Sequence, residues 1–202
     1  TVAVVEFYHH GQVDAQAKNI VVAAGNELVP VRILQLGPGD FCRLAFQVIS
    51  TRSPYEILYG GPPLPDDRRP AWTREEGLLW EVREYRECNL NSFESVKAAF
   101  DSSKPIGADY VSGVFQAGHP FAAPPGPYMS RYTGTLHLTQ SGTYGFYTSS
   151  QDCSFLLIDG KVIASAPGRH PPAYQATPGL RQDVQLTAGP HRFEYYHVST
   201  TE

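Results

Sequence analysis

Side chains that could carry out catalysis are few in this sequence, and none of them falls in a recognised catalytic pattern. The chain has no GxSxG, HExxH, P-loop or dinucleotide-binding motif. Its adjacent acidic pairs, Asp66-Asp67 and Glu75-Glu76, lie in sequence that is typical of solvated, linker-like segments. A glycosidase could use two carboxylates that are distant in sequence, but nothing here selects such a pair. We therefore expect a protein that is not an enzyme.

Histidine, arginine and tyrosine side chains offer a second kind of chemistry, the binding of a sugar or a metal ion. Arg169, His170 and Tyr174 lie in a Pro-rich segment at 166–178 and could form a stacking platform for a sugar, although exposed rings also often cap a core. The pair His9-His10 could bind a metal. Adjacent residues in a strand point to opposite faces, however, which argues against joint ligation.

Charge and cysteine content limit the partners further. The formal net charge is −4 and no run of Lys or Arg is present, so we expect no nucleic-acid partner. No apolar stretch approaches the roughly 20 residues that span a membrane, so we expect no membrane insertion. Cys42, Cys88 and Cys153 lie far apart without CxxC spacing. One disulfide with one free thiol and three buried thiols both fit this pattern.

The elements that must position these residues are short strands. Gly (18) and Pro (17) are abundant, and Tyr (12) and Phe (10) are frequent, which favours strands joined by many turns over long helices. Near the start of the chain, apolar runs separated by Gly breaks predict strands at 2–8, 19–24, 27–34 and 41–49. Residues 1–60 therefore predict a β-sandwich module, or part of one, with Ig-like strand spacing.

A Pro-rich segment without periodicity, residues 61–71, predicts an extended linker and a domain boundary. A second module is expected over 72–202. In it, Asn91-Ser92-Phe93-Glu94 resembles a capping box and predicts one short helix near 92–100. Strands are predicted at 131–138, 143–148, 155–158, 161–164 and 191–198. Asp159-Gly160 predicts a two-residue hairpin turn, because both positions of that turn need positive φ.

Four segments in this second module carry a resemblance to a known family. They are RYTGTL at 131–136, SGTYGF at 141–146, SQDCSFLLIDG at 150–160 and LTAGPH at 186–191. In this order they resemble the strands and turns of the PA14 domain, a β-sandwich found in bacterial toxins, glycosidases and yeast adhesins. The resemblance covers about residues 78–198. It implies a PA14-like sandwich that stops near its last strand, so we expect a fragment of a larger protein.

The resemblance also implies a ligand site. In the adhesin branch of the family, two adjacent aspartates hold a Ca²⁺ ion that accepts two sugar hydroxyls, in keeping with the six to eight oxygen ligands that Ca²⁺ prefers. Here Gln151 stands at the first aspartate position and Asp152 at the second, so Asp152 is the candidate metal ligand. A lone carboxylate supplies half the charge of the pair. We therefore favour the alternative that this loop is structural and holds no ion.

The sequence thus predicts an all-β chain of two β-sandwich modules, the second PA14-like, with one short helix. Its predicted function is that of a non-catalytic carbohydrate-binding or adhesion module of a larger extracellular or cell-surface protein. The alternative is a structural assembly or spacer module of a cell-surface fibre or layer, without ligand binding. Expected partners are a glycan and other domains or copies of the parent protein. The expected cofactor is none, or Ca²⁺.

Overall fold

The computed structural model describes residues 2–51, 54–73, 77–115, 118–121, 126–172 and 181–200. The chain divides into two compact units, Thr1–Glu76 (unit 1) and Gly77–Glu202 (unit 2). Each unit has its own core of buried residues.

Unit 1 is a small sandwich of two antiparallel three-stranded sheets. One sheet has the order β1-β5-β4 and the other β3-β2-β6. Buried side chains from both sheets, such as Val22 and Val29 from one and Leu44 and Phe46 from the other, form a single core between them. The strands are β1 (Val2–Tyr8), β2 (Val21–Ala24), β3 (Glu27–Val29), β4 (Val31–Leu36), β5 (Phe41–Gln47) and β6 (Tyr55–Leu58).

One strand predicted in unit 1 is two strands in the structure. The segment 27–34 breaks at Pro30, which has no N–H to give to a sheet. Before the break β3 pairs with β2, and after it β4 pairs with β5. The Pro30 carbonyl accepts a hydrogen bond from the Gln47 N–H at 3.1 Å. Proline therefore marks the point at which the chain passes from one sheet to the other.

The predicted linker, residues 61–71, differs from an extended connection. Asp66–Arg68 form a short 3-10 helix. The Leu64 N–H donates to the Lys18 carbonyl at 3.2 Å, and the Arg69 side chain donates to the carbonyls of Leu64 and Lys18. Hydrogen bonds to carbonyl groups thus hold this segment against the rest of unit 1.

The two residues after that segment also contact unit 1. The Arg32 guanidinium lies over the Trp72 ring, 4.5 Å from its centroid. The Thr73 hydroxyl donates to Gln47 Oε1 at 3.2 Å. The division of the chain accordingly falls after Glu76, whereas the sequence prediction placed it at 61–71.

Unit 2 contains a six-stranded antiparallel sheet of order β12-β11-β14-β9-β7-β8 and a two-stranded sheet, β10-β13. One α-helix lies in the described part of the chain, so the predicted all-β fold with one short helix is confirmed. The elements are β7 (Leu78–Glu84), α1 (Phe93–Ser102), β8 (Pro105–Val111), β9 (Tyr128–Leu138), β10 (Gly142–Phe146), β11 (Ser154–Ile158), β12 (Lys161–Ala166), β13 (Gln182–Leu186) and β14 (Gly189–Ser199).

The two faces of the large sheet bury different sets of side chains, because successive residues of a strand point to opposite faces. On one face the helix residues Val96 and Phe100 pack with Met129 and Tyr196. The other face carries an aromatic cluster of Trp80, Tyr132, Phe121 and Tyr195.

The helix α1 is fixed at both ends. Its N-cap is Ser92, whose hydroxyl accepts a hydrogen bond from the Ser95 N–H at 3.3 Å. At the other end the Arg83 guanidinium donates to the carbonyls of Phe100, Asp101 and Ser103 at 3.1, 3.1 and 3.2 Å. A sheet side chain therefore donates to carbonyls at the end of the helix, where the regular helical hydrogen bonds stop. No helix in the described ranges is long and apolar enough to cross a membrane.

The predicted hairpin turn is confirmed. Asp159 and Gly160 have φ of 51° and 75°, and Ile158 pairs with Lys161 across the turn. This conformation joins β11 to β12 with two residues and sets their register.

Candidate functional site

Three strand ends meet at the predicted ligand loop. We call residues 150–153 the Asp152 loop; it leads into β11 at Ser154. Within the sheet Ser154 lies beside Ala166, at the end of β12, and beside His197, near the end of β14. The sheet register therefore places the Asp152 loop next to the segment 167–172 and to the end of β14.

Asp152 is buried, with 3% of its surface exposed. Its Oδ2 accepts hydrogen bonds from the Thr200 N–H at 2.6 Å and from the Thr200 hydroxyl at 2.8 Å. Its own N–H donates to the His170 carbonyl at 2.7 Å. The residue has φ of 58°, a left-handed conformation that aspartate tolerates better than most side chains. Asp152 therefore joins the end of β14 to the segment after β12.

Gln151 takes part through its backbone. Its carbonyl accepts from His197 Nε2 at 3.1 Å, and the other ring nitrogen of His197 lies 3.3 Å from the Ser130 hydroxyl. Because Nε2 must donate to the carbonyl, Nδ1 is free to accept from Ser130, and the ring is satisfied in its neutral form. Burial lowers the pKa of His197 to about 4. Gln151 is thus held by a neutral histidine.

The interior of the Asp152 loop is filled by protein hydrogen bonds. The buried Ser150 hydroxyl lies 2.9 Å from the Asp152 carbonyl and 2.9 Å from the Ser154 hydroxyl. Burial raises the pKa of the Tyr195 phenol, and hydrogen bonds with Ser154 and Ser150 partly oppose that effect. These contacts explain why the loop can be buried although it is polar.

The predicted sugar platform is divided in the structure. Arg169 is exposed, and its Nη2 lies 3.7 Å from Glu87 Oε1. The His170 ring instead folds onto its own segment, with Nε2 3.2 Å from the Ala166 carbonyl and Nδ1 3.0 Å from the Pro171 carbonyl. Tyr174 lies outside the described residues. Gln151, Asp152 and His170 are therefore brought together, whereas Arg169 contacts a different loop.

The contacts that Asp152 Oδ2 makes do not suit a Ca²⁺ ion. The Asp152 Oδ2 lone pairs that would face a cation face the N–H and O–H of Thr200 instead, and a cation is repelled by such donor hydrogens. Calcium also needs six to eight oxygens. Over the residues that the structure describes, no three His, Cys, Asp or Glu side chains converge to form a metal site.

The two N-terminal histidines lie beyond the strand rather than in it, since β1 ends at Tyr8. His10 has φ of 51°. His9 is buried, and its Nδ1 accepts from the Val13 N–H at 3.4 Å. We expected strand alternation to separate the two rings, and this was wrong because neither histidine lies in a strand. One ring stabilises a turn and the other is exposed.

All three cysteines are thiols in this structure. The sequence was compatible with one disulfide or with three thiols, and these three residues form no disulfide. Cys42 and Cys153 are fully buried, and burial raises their pKa to about 11 and about 12. Cys88 is partly buried at the edge of the unit 2 core. Burial also raises the pKa of Cys88, and thiols with raised pKa are poor nucleophiles.

Two residues of this site were not found from the sequence. Thr200 lies 48 residues from its partner Asp152, and His197 lies 46 residues from Gln151. The only signal available was the strand predicted at 191–198, which contains His197 and ends just before Thr200. It did not indicate that the end of this strand would meet the Asp152 loop.

Comparisons with known proteins bear on the fold. No family model matches this sequence, and neither does any curated protein. Among solved structures, the PA14 domain of the antifreeze protein MpAFP matches with a TM-score of 0.50 and 16% sequence identity. The match covers 68% of this chain and 82% of that one. At this identity the likeness concerns the fold alone: the chain contains a PA14-like fold.

Proposed function

We propose that unit 2 is a non-catalytic structural module of a larger extracellular or cell-surface protein, serving as a spacer or assembly element. The observation that carries this proposal is the use of Asp152. Its buried carboxylate accepts two hydrogen bonds from Thr200, and its N–H donates to His170. The position at which the family's adhesins hold an ion here fastens three chain segments to one another.

Energetics favour this role over ion binding. A buried carboxylate that keeps its hydrogen-bond donors is stable, whereas removing one partner leaves the other unsatisfied at a cost of about 1–3 kcal/mol. A Ca²⁺ ion that bound Asp152 Oδ2 would have to displace the Thr200 N–H, with only one carboxylate to offset that loss.

Calorimetric titration with Ca²⁺ tests the proposal, combined with thermal unfolding in the presence and absence of the ion. We expect flat titrations for the wild type and for Asp152→Ala. We also expect Asp152→Ala to lower the melting temperature equally with and without Ca²⁺. Asp183→Ala is the matched control, because Asp183 is an exposed carboxylate paired with exposed Arg181, and it should change stability by about 0.5 kcal/mol or less. Sub-millimolar Ca²⁺ binding that Asp152→Ala abolishes would contradict the proposal.

A carbohydrate-binding or adhesion module is the second candidate. The PA14-like fold supports it, and so does an exposed polar group formed by Arg169, Glu87 and Tyr85. The Tyr85 hydroxyl donates to Glu87 Oε2 at 2.8 Å, and Arg169 lies beside the same carboxylate. Such a group offers donors and an acceptor to a sugar without any ion, while the Tyr85 ring packs against the core. Glycan-array binding that persists in a chelator and is lost in Arg169→Ala would favour this function, and an empty array would favour the structural one.

A further inference from the structure

His191 joins two turns at the end of the unit 2 sheet opposite the Asp152 loop. Its Nδ1 lies 2.7 Å from Asp159 Oδ2, in the β11–β12 turn. Its Nε2 lies 2.9 Å from the Thr187 carbonyl, in the turn between β13 and β14. The ring is buried, with 7% of the residue exposed. One side chain therefore bridges two segments that are distant in sequence.

Both neighbours of this ring are hydrogen-bond acceptors. A neutral imidazole has a single N–H, so it can satisfy either the carboxylate or the carbonyl and must turn a lone pair toward the other. The imidazolium form has two N–H groups and satisfies both. His197 is the opposite case, because it faces one carbonyl and one hydroxyl and suits the neutral ring. Geometry alone thus separates the two histidines.

Asp159 is held in place for this contact. Its Oδ1 accepts from the Arg192 N–H at 2.9 Å, and its own N–H donates to the Arg192 carbonyl at 2.9 Å. The hairpin turn fixes the left-handed backbone of Asp159. Its carboxylate therefore has one oxygen bound to β14 and the other directed to His191. The acceptor is therefore present whether or not the ring carries its second proton.

The other charged groups around the ring leave this preference intact. The hydrogen bond with His191 is the main cause of the lowered pKa of Asp159, and Lys161, at the start of β12, lowers it slightly further. The Arg192 side chain is paired with Glu194 at 3.1 Å on β14. On β9, His137 lies opposite Pro190, the residue before His191, so its side chain is on the other face of the sheet.

We propose that His191 is a proton-operated clamp, which in its protonated form fastens the Asp159–Gly160 turn to the turn that precedes β14. This inference goes beyond the structural role proposed for unit 2. It means that this end of the sheet is more tightly closed in mildly acidic than in mildly alkaline surroundings.

The ionisation of the pair agrees with the geometry. The hydrogen bond to Asp159, followed by that to Thr187, raises the pKa of His191 above 6.5, and the hydrogen bond to His191 lowers the pKa of Asp159 below 3.8. A histidine with a raised pKa stabilises the fold below about pH 6.5 and loses that effect as the pH rises through its folded pKa. The carboxylate keeps its effect until the pH falls below about 3.8. The clamp is therefore fully closed between these limits.

Nuclear magnetic resonance titration of the whole chain tests the clamp. We expect the His191 ring to titrate above 6.5, and its midpoint to fall in Asp159→Asn, which keeps a side chain that tolerates the left-handed turn. We also expect the hydrogen-exchange protection factor of the Arg192 amide, corrected for intrinsic rate, to be about three- to tenfold higher at pH 5.5 than at pH 8.

Two further variants decide whether His191 is responsible. His191→Gln should abolish the pH dependence of the Arg192 protection factor, and His137→Gln should leave it unchanged. If His191→Gln does not fold, the midpoint shift in Asp159→Asn is decisive by itself. The clamp is overturned if His191 titrates at or below 6.5 in the wild type, if Asp159→Asn leaves the midpoint unchanged, or if the protection difference persists in His191→Gln.

Discussion

The two ends of strand β11 present the same residue type in nearly the same backbone conformation, with different consequences. Asp152 precedes the strand with φ of 58°, and Asp159 follows it with φ of 51°. Asp152 is buried and accepts from the uncharged donors of Thr200. The Asp159 side chain is 52% exposed and pairs with His191. The backbone conformation selected aspartate at both positions, but the partner that the fold supplies decides what the carboxylate does.

The contact of Asp152 therefore does not depend on the protonation of its partner, whereas the contact of Asp159 does. Thr200 does not titrate, so its hydrogen bonds to Asp152 persist over the whole pH range in which the carboxylate is ionised. His191 gains and loses a proton, so its contact with Asp159 changes as the pH passes through its raised pKa. The predictions below test that contrast, beginning with the largest expected effect.

Substitution of Asp152 should have the largest effect. Asp152→Ala removes both acceptor contacts, leaves the Thr200 N–H unpaired, and places alanine at positive φ. We expect the free energy of unfolding to fall by about 3 kcal/mol, from the unsatisfied donor and the left-handed backbone together. Chemical denaturation measures this loss. A loss below about 1 kcal/mol would show that the contacts of Asp152 do not stabilise the fold.

Protonation of His197 should have the next largest effect, and at the same end of β11. Its pKa is lowered to about 4 by burial, so the folded state resists a proton that the unfolded chain accepts below about pH 6.5. Stability should therefore fall as the pH drops from about 6.5 to about 4, by at most about 3 kcal/mol. In His197→Gln, whose amide can both donate and accept, most of this pH dependence should disappear. Equal pH dependence in the two proteins would contradict the assignment of a neutral ring.

Substitution at the other end should have the smallest effect. Asp159→Asn retains the turn but replaces an ionic hydrogen bond by a neutral one at an exposed site. We expect the melting temperature to fall by only about 2 °C at pH 6, and by less as the pH rises through the folded pKa of His191. A decrease as large as that of Asp152→Ala would remove the distinction between the two ends.

Local features of the fold could be predicted from the sequence. The apolar run in 2–8 predicted β1, the Ser92 cap predicted the start of α1, and Asp159-Gly160 predicted a hairpin turn with positive φ at both positions. Each of these depends on residues close together in the chain, so propensity and turn chemistry were sufficient.

Other elements could not be predicted because their stabilising partners are remote. Strand β8 begins with Pro105 and contains Gly107, and it forms because β7 lies beside it. A single strand was expected across Pro30 because its flanks are both apolar. At the site, Asp152 was identified through the family resemblance, but its partner Thr200 is distant in sequence, and nothing local to either residue indicates the contact. The sequence could locate the loop and not its role.

The most direct test of the account follows the Thr200 amide by nuclear magnetic resonance during a Ca²⁺ titration of the intact chain. The account predicts that this amide keeps its chemical shift and its exchange protection up to about 10 mM Ca²⁺, a concentration above the range in which extracellular modules bind the ion. It also predicts that protection is lost in Asp152→Ala with or without Ca²⁺. A saturable shift of the Thr200 amide at sub-millimolar Ca²⁺, absent in Asp152→Ala, would show instead that the carboxylate leaves Thr200 to hold the ion.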